Sequence, residues 1–535
     1  MATSGRRSVH GYHGRVNTPA ALSTVERLRD GMPEPPLLTW AVTLGIGLLA
    51  FLLRLIGVAD PPRLIFDETY YAKDAWSLLQ SGYERTWASD ANAMIIAGDL
   101  SGLTDEASFI VHPPVGKWLI AAGQAVFGMT PFGWRIAAVV FGALLVVATV
   151  RLAHRVSRSL LIGALAGVLL TFDGLAFAMS RVALLDIFQA TFLVAAVAAL
   201  VADRDHHRHK LADAIEASGR LTLGGAFGPL LWWRPWRWTA GVLFGLAIAT
   251  KWNSLFVLAV FGLLSVWWDI GARRLAGAGF LAWTAVLKEG VLAFVSTVGA
   301  AFVVYVASWT GWLTTSGGWG RDWGAQHPDH PWVGAFGEAF ASLLNYHREI
   351  FGFHTGDYIR EQTHSYDAHP AGWLLMLRPI SFDAVNDIPV GTSDCLGPDN
   401  CVAVVTAMGT PLLWWLAAAA LVVALIWWLA ARDWRFAVPA LGALATYLPW
   451  FASADRPVFF FYTITIVPFT VIALAMALGL VLGPAGAPGR RTGAIIVGVA
   501  TGLVIVNFAY LYPLLVGQTL PYSDWLSRMW LRSWI

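Results

Sequence analysis

Residues 37–58 read LLTWAVTLGIGLLAFLLRLIGV, and Arg54 is the one ionisable side chain among them. A helix of that length rises about 33 Å, which matches the roughly 30 Å hydrocarbon core of a bilayer. Runs of the same character recur at 131–150, 159–179, 183–202, 237–251, 253–269, 285–308, 406–431, 436–452, 457–482 and 493–514. Together they predict about eleven transmembrane helices. Composition agrees: hydrophobic residues make up 57% and charged residues 13% of the chain. A soluble domain carries about 25% charged residues, so this chain cannot cover itself with polar surface.

The arginines orient the expected bundle. With the N-terminus inside, the short basic segments Arg151/Arg155/Arg158, Arg204 to Arg237, Arg273/Arg274, Arg432/Arg435 and Arg490/Arg491 all fall on the cytoplasmic side, as the positive-inside rule requires. Residues 1–36, polar and carrying Arg6, Arg7, Arg15, Arg27 and Arg29, are expected as a cytoplasmic tail and not a cleaved signal. Residues 37–535 are expected as one membrane-embedded domain, with the C-terminus outside. The net charge of +2 names no partner, and no patch suited to nucleic acid stands out.

The outer face receives residues 59–130 and 309–405, which are far too long to be simple connectors. Their aromatic content, with Trp309, Trp312, Trp319, Trp323 and Trp332 in the second, argues against disorder. The working face is therefore expected to be the outer one. Both cysteines, Cys395 and Cys401, lie there in CLGPDNC. The segment can turn tightly enough for a structural disulfide in a compartment that permits one, two free thiols being the other reading.

Chemistry concentrates in a few places. Asp67–Glu68, in RLIFDETYYAKDAW, puts two adjacent carboxylates just after the first span. The pair could be a solvated helix cap or a catalytic acid pair. His112, in HPPVGK, could contact substrate, and Lys117 of that motif is expected at a helix start. Arg181 and Asp186 flank the third-to-fourth turn and could pair with each other. Asp173 and Asp186 lie among apolar residues, where an ionisable group faces a polar cavity or a packing partner. Arg135, Lys251 and Arg456 place fixed positive charge near the outer boundary. Each could snorkel to headgroups or hold a phosphate leaving group where its charge develops. His206, His207 and His209 read as a solvated inner loop, and WWRPWRW near 232–238 as an interfacial aromatic belt.

Taken together, FDE after the first span, HPPVGKW, the arginine of the second span, ATKW, and SLLNYHREIFGFHTG…THSYDAHPAGWLLMLRPISF resemble the protein O-mannosyltransferases. That resemblance implies an all-α polytopic membrane protein of the C-type glycosyltransferase (GT-C) fold, with amphipathic helices in the outer loops. It implies transfer of mannose from polyprenyl-phosphate-mannose to Ser/Thr hydroxyls of secreted proteins, in a bacterial, actinobacterial-type member at the cell membrane. Asp67 is then the catalytic base, with Glu68 beside it raising its pKa by like-charge repulsion. Arg135, Lys251 and Arg456 are the expected donor phosphate and sugar contacts. His112, Arg181, Asp186, His347, His364 and Tyr366 are further expected substrate contacts. No cofactor is firmly implied; the outer acids and histidines could bind a divalent metal, although no spacing demands one. Export machinery that delivers the acceptor is a partner the sequence leaves open. A lipid-phosphate sugar transferase acting on lipid or cell-wall glycan would share the same base and clamp. A transporter or flippase is the third reading, with Asp173 and Asp186 in its favour but no internal repeat to support it.

Overall fold

The computed structural model describes residues 22–30, 36–392 and 394–535. Among them, eight helices are long and apolar enough to cross a membrane: Pro36–Leu55, Pro131–Ser157, Asp186–Ala217, Ser254–Leu275, Gly279–Ser308, Pro411–Ala431, Trp434–Ser453 and Arg490–Val516. The other three expected spans form shorter helices, so length and composition do not confirm a count of eleven. The run at 159–179 breaks at Phe172–Asp173 into Leu160–Thr171 and Gly174–Met179. The run at 237–251 is Pro235–Ile248. The last, 457–482, opens as a 3-10 turn, Phe460–Thr465, before helix Val467–Leu482.

Helix Asp186–Ala217 is the axis of the bundle. Its apolar window is 89% buried, against 22% for Pro36–Leu55 and for Arg490–Val516, which present their sides outward. From Phe192 to Ala202 its side chains are apolar all round, as a helix surrounded by others requires, and it packs against Pro131–Ser157 and Pro235–Ile248. Glycines let backbones approach: a Cβ at Gly241 or Gly245 would fall within 3.0 Å of the helix Gly279–Ser308.

The fold is mostly helical, as expected, and the long segments expected on the outer face add two small sheets. Strands β1 (Arg85–Trp87) and β2 (Leu103–Ala107) pair antiparallel. Strands β3 (Ile380–Ile388), β4 (Cys401–Ala407) and β5 (Thr519–Pro521) form a second antiparallel sheet in that order. The span expected at 406–431 therefore begins later, at Pro411, because Thr406 and Ala407 end the buried strand β4. Periodicity alone cannot separate these cases in a short apolar run. Cys395 and Cys401 are disulfide-bonded, which anchors the turn ahead of β4.

At the far end of the axial helix the three histidines are helical, not in a loop. His207 is buried between Asp269 and Glu289, at 3.3 and 3.2 Å. Around it, Arg234 and Arg237 bridge Asp203 and Asp269, and Arg273 bridges Glu289. The polar side chains of WWRPWRW therefore point into the protein, while Trp232 and Trp233 remain exposed. Of the N-terminal tail, Arg6, Arg7 and Arg15 lie outside the described residues. The short helix Thr24–Leu28 buries Leu28, and Arg29 pairs with Asp213 and Glu216 on the axial helix.

Candidate active site

The end of the bundle opposite that cluster gathers the first outer loop, the start of the axial helix and the loop after Ile248. Asp67 immediately precedes helix Glu68–Ser81, whose first turn holds Glu68 where the helix dipole favours an acid. Asp67 sits in the capping position, yet its carboxylate makes no capping hydrogen bond. It is only half-buried and is left free for other chemistry. The preceding Phe66 has φ 48°, a left-handed conformation that costs a bulky residue of order 1–3 kcal/mol. Its ring is held against Phe382 and Phe461, with centroids at 4.9 and 5.6 Å, and this packing fixes the direction in which Asp67 leaves the turn.

Glu68 has a different environment from its neighbour. It is fully buried and receives Arg135 in a bidentate pair, Nε to Oε1 and Nη2 to Oε2, both at 2.8 Å. The main-chain amides of Ile65 and Ala183 donate to the same carboxylate at 3.1 and 3.0 Å. Arg135 also donates to the carbonyls of Val58, Pro61 and Arg63. The pair staples the strained turn to two membrane helices, so the Arg135 charge is already committed and does not stand free for a phosphate.

Lys251 is likewise paired, donating to both oxygens of Asp186 at 2.9 and 2.8 Å. The expected Arg181–Asp186 pair does not form. Arg181 instead turns back onto the carbonyls that end the first membrane helix, those of Arg54, Ile56 and Gly57. Asp173 is a cap and anchor: it accepts from the amide of Ala176 at 2.8 Å and from Trp414 Nε1 at 2.7 Å.

Burial pushes the Asp67 pKa up to about 6, with Lys251 pulling it down and Asp186 pushing it further up. The expected repulsion from Glu68 is not among the causes, because Arg135 neutralises that carboxylate. His112 is held well below the usual imidazole range by burial and then by Lys251, His354, Lys117 and Arg456. It stacks on His354 with centroids at 5.5 Å. His354 Nε2 bonds the carbonyl of Val111 at 2.9 Å, and its Nδ1 lies 3.5 Å from Arg456 Nη1. No carboxylate partners Arg456 among the described residues, and its Nε is buried without a hydrogen-bond partner. The neighbouring Asp455 is engaged by Arg360 at 2.9 Å.

His364 borders Arg456 in a polar cleft of about 240 Å³, together with Arg360, Thr363 and Asp455. Tyr366 lies beside His364 and under the guanidinium of Arg378. His347 is drawn into a box with Trp252, Trp309 and Tyr305, and bonds the Tyr305 hydroxyl at 2.8 Å. Lys117 is buried, paired with Glu84 and 3.7 Å from Asp74. His354 and Tyr71, whose rings lie 5.5 and 6.4 Å from that of His112, are the residues the sequence reading missed. Tyr71 was findable, since it follows Asp67 by one helical turn. His354 was not, because it meets His112 across 242 positions. Among the described residues, no three His, Cys, Asp or Glu side chains converge as a metal site.

A helical membrane bundle with an uncapped carboxylate under two folded outer loops has the architecture of a C-type glycosyltransferase. The family pattern for dolichyl-phosphate-mannose-protein mannosyltransferase matches residues 45–310, and that for the C-terminal four-span region of protein O-mannosyltransferase matches 339–534. The polyprenol-phosphate-mannose–protein mannosyltransferase of Mycobacterium tuberculosis is 37% identical, with 94% of each chain covered. That of Mycolicibacterium smegmatis is 36% identical over 92% of this chain and 93% of its own. The chain belongs to the protein O-mannosyltransferase family. The donor-bound Saccharomyces cerevisiae protein O-mannosyltransferase Pmt1–Pmt2 complex shares the fold, with a TM-score of 0.71 at 13% identity over 95% of this chain and 94% of that one.

Proposed function

We propose that the chain transfers mannose from polyprenyl-phosphate-mannose to Ser and Thr hydroxyls of exported proteins, at the outer face of the cell membrane. The observation that carries the mechanism is the uncapped Asp67 carboxylate, set among Lys251–Asp186, His112, His354 and Arg456. The acceptor hydroxyl attacks the anomeric carbon, and Asp67 takes its proton as the oxygen–carbon bond forms. The bond from that carbon to the phosphate oxygen breaks, and polyprenyl phosphate leaves with the electron pair. A phosphate leaving group needs no general acid, so one carboxylate suffices, and displacement from the opposite face inverts the anomeric centre. Arg456, which no carboxylate partners among the described residues, stabilises the departing phosphate. Lys251 and Asp186 set the potential around the base, and Glu68 with Arg135 holds the turn that aims it. The basic end of the bundle is cytoplasmic, and residues 37–535 act as one unit.

The test is mannose transfer in membranes that express the chain, from radiolabelled polyprenyl-phosphate-mannose to a Ser/Thr-rich peptide. Label on lipid or glycan with none on peptide overturns the protein acceptor. Because the base works ionised and its pKa is raised to about 6, kcat/KM falls about tenfold per pH unit below that value and levels off above about 7. A profile that is flat between pH 5 and pH 7 sinks Asp67 as the titrating base. Arg456→Ala is expected to raise the KM for the lipid donor by about 10- to 100-fold, the loss of one or two charge-assisted contacts, and to leave the peptide KM close to wild type. A change in the peptide KM alone would move Arg456 to the acceptor side.

A further inference from the structure

The reaction leaves one of the residues picked out from the sequence without a role. Arg181 is 6% exposed, and every hydrogen bond its guanidinium makes goes to an uncharged main-chain carbonyl, those of Arg54 and Ile56 from Nη1 and that of Gly57 from Nη2. Among the described residues it has no carboxylate within ion-pair distance. It forms the floor of a second cavity of about 540 Å³, where Asp60, Asp394, Tyr512, Gln518 and Thr519 supply the other polar groups. Gly57, at φ +61°, lines it as well, and a Cβ there would lie in ordinary contact with both groups, 3.6 Å from Asp60 Oδ2 and 3.8 Å from Arg181 Nη2. An acceptor and a donor thus flank Gly57: the Asp60 carboxylate, exposed and without a hydrogen-bond partner among the described residues, and the buried Arg181 guanidinium.

The lining selects a ligand class. One guanidinium against two carboxylates disfavours a phosphate or other anion, and the buried guanidinium disfavours a cation. A neutral polyol satisfies both, with acceptors at Asp60 and Asp394, donors at Arg181, Gln518 and Thr519, and the Tyr512 ring as an apolar wall. The volume falls within the roughly 300–1,000 Å³ of ligand sites. The cavity also shares a wall with the catalytic turn. Ala183, two residues beyond Arg181, donates to Glu68, and Arg135 grips the carbonyls of Val58 and Pro61 on either side of Asp60.

We infer that this cavity is a second carbohydrate site, which holds a hexose already attached to the acceptor chain while Asp67 activates a hydroxyl further along it. An extended peptide advances about 3.3–3.6 Å per residue, so a few residues bridge neighbouring sites. The inference rests on protein being the acceptor.

Two measurements on the full-length protein in detergent test it. The first compares transfer to a Ser/Thr-rich peptide with transfer to the same peptide carrying one O-mannosyl residue several positions away. The second is saturation-transfer difference NMR with methyl α-mannoside. Wild type is expected to show a KM about tenfold lower for the mannosylated peptide, the worth of about 1.4 kcal/mol. Asp60→Asn and Gln518→Ala bring that ratio to one and remove the NMR signal, whereas Asp67→Asn abolishes transfer and keeps the signal. A wild-type ratio of one, a signal that survives both cavity variants, a signal lost with Asp67→Asn, or displacement by inorganic phosphate each overturns the second site. Wild-type protein that transfers to neither peptide contradicts the protein acceptor, and the NMR arm then decides the carbohydrate site by itself.

Discussion

Asp67→Asn is expected to lower mannose transfer by a factor of about 10²–10⁴, the usual contribution of a positioned general base. The substitution is nearly isosteric, and the carboxylate it replaces makes no capping bond to the helix it precedes. Folding should therefore be preserved. Burial raises the pKa of this group to about 6, so replacing it also removes a charge that the site held at some cost. Thermal stability of the variant should be equal to or above that of wild type. Photo-crosslinking of a polyprenyl-phosphate sugar analogue would show donor binding retained while transfer is lost. Near-wild-type transfer by Asp67→Asn would exclude the residue as the base.

Glu68→Gln should fail in a different way. The Glu68–Arg135 pair is wholly buried, both side chains showing no exposure. Removing one partner leaves a charged guanidinium among apolar helices, a loss of about 3–5 kcal/mol. That is a large part of the stability of a typical domain. The expected outcome is lost yield of folded protein in detergent and a lower unfolding temperature, with Arg135→Ala at least as severe. The double variant Glu68→Leu/Arg135→Met should recover part of the stability, since replacing both buried charges by apolar groups removes the desolvation cost. If Glu68→Gln unfolds like wild type and only transfer is lost, the carboxylate takes part in the chemistry and is not a staple.

The two neighbouring acids show where a sequence can and cannot be read. The membrane helices, the long connecting segments and the adjacent carboxylates of FDE were legible because each is written in contiguous residues, as hydrophobic run length, loop length and residue type. The different surroundings of the two carboxylates were not, because those of Glu68 depend on partners 67 and 115 positions away, Arg135 and the amide of Ala183. Arg135 and Lys251 looked like free cations for the same reason: their carboxylates, Glu68 and Asp186, lie on other helices. The DHHRHK histidines looked solvated because Asp269 and Glu289, which enclose His207, come from distant segments. The small sheets were hidden more simply. A strand of seven residues such as β4, buried on both faces, has the same composition as the first two turns of a span.

The pairing of β5 with β4 bears on how the protein is made. Residues 519–521 complete a sheet whose other strands lie more than a hundred positions earlier, and they follow the last long helix of the chain. The loop that carries His354 and His364 is therefore tied, through β4, to residues 519–521. Tyr522 then bonds the Asn400 carbonyl, and Trp534 Nε1 bonds that of Met376. A chain cut before residue 519 keeps every residue of the candidate site and lacks the third strand of this sheet. The sheet therefore closes only after helix Arg490–Val516 has been made, which ties the folding of this loop to a membrane helix far from it in sequence.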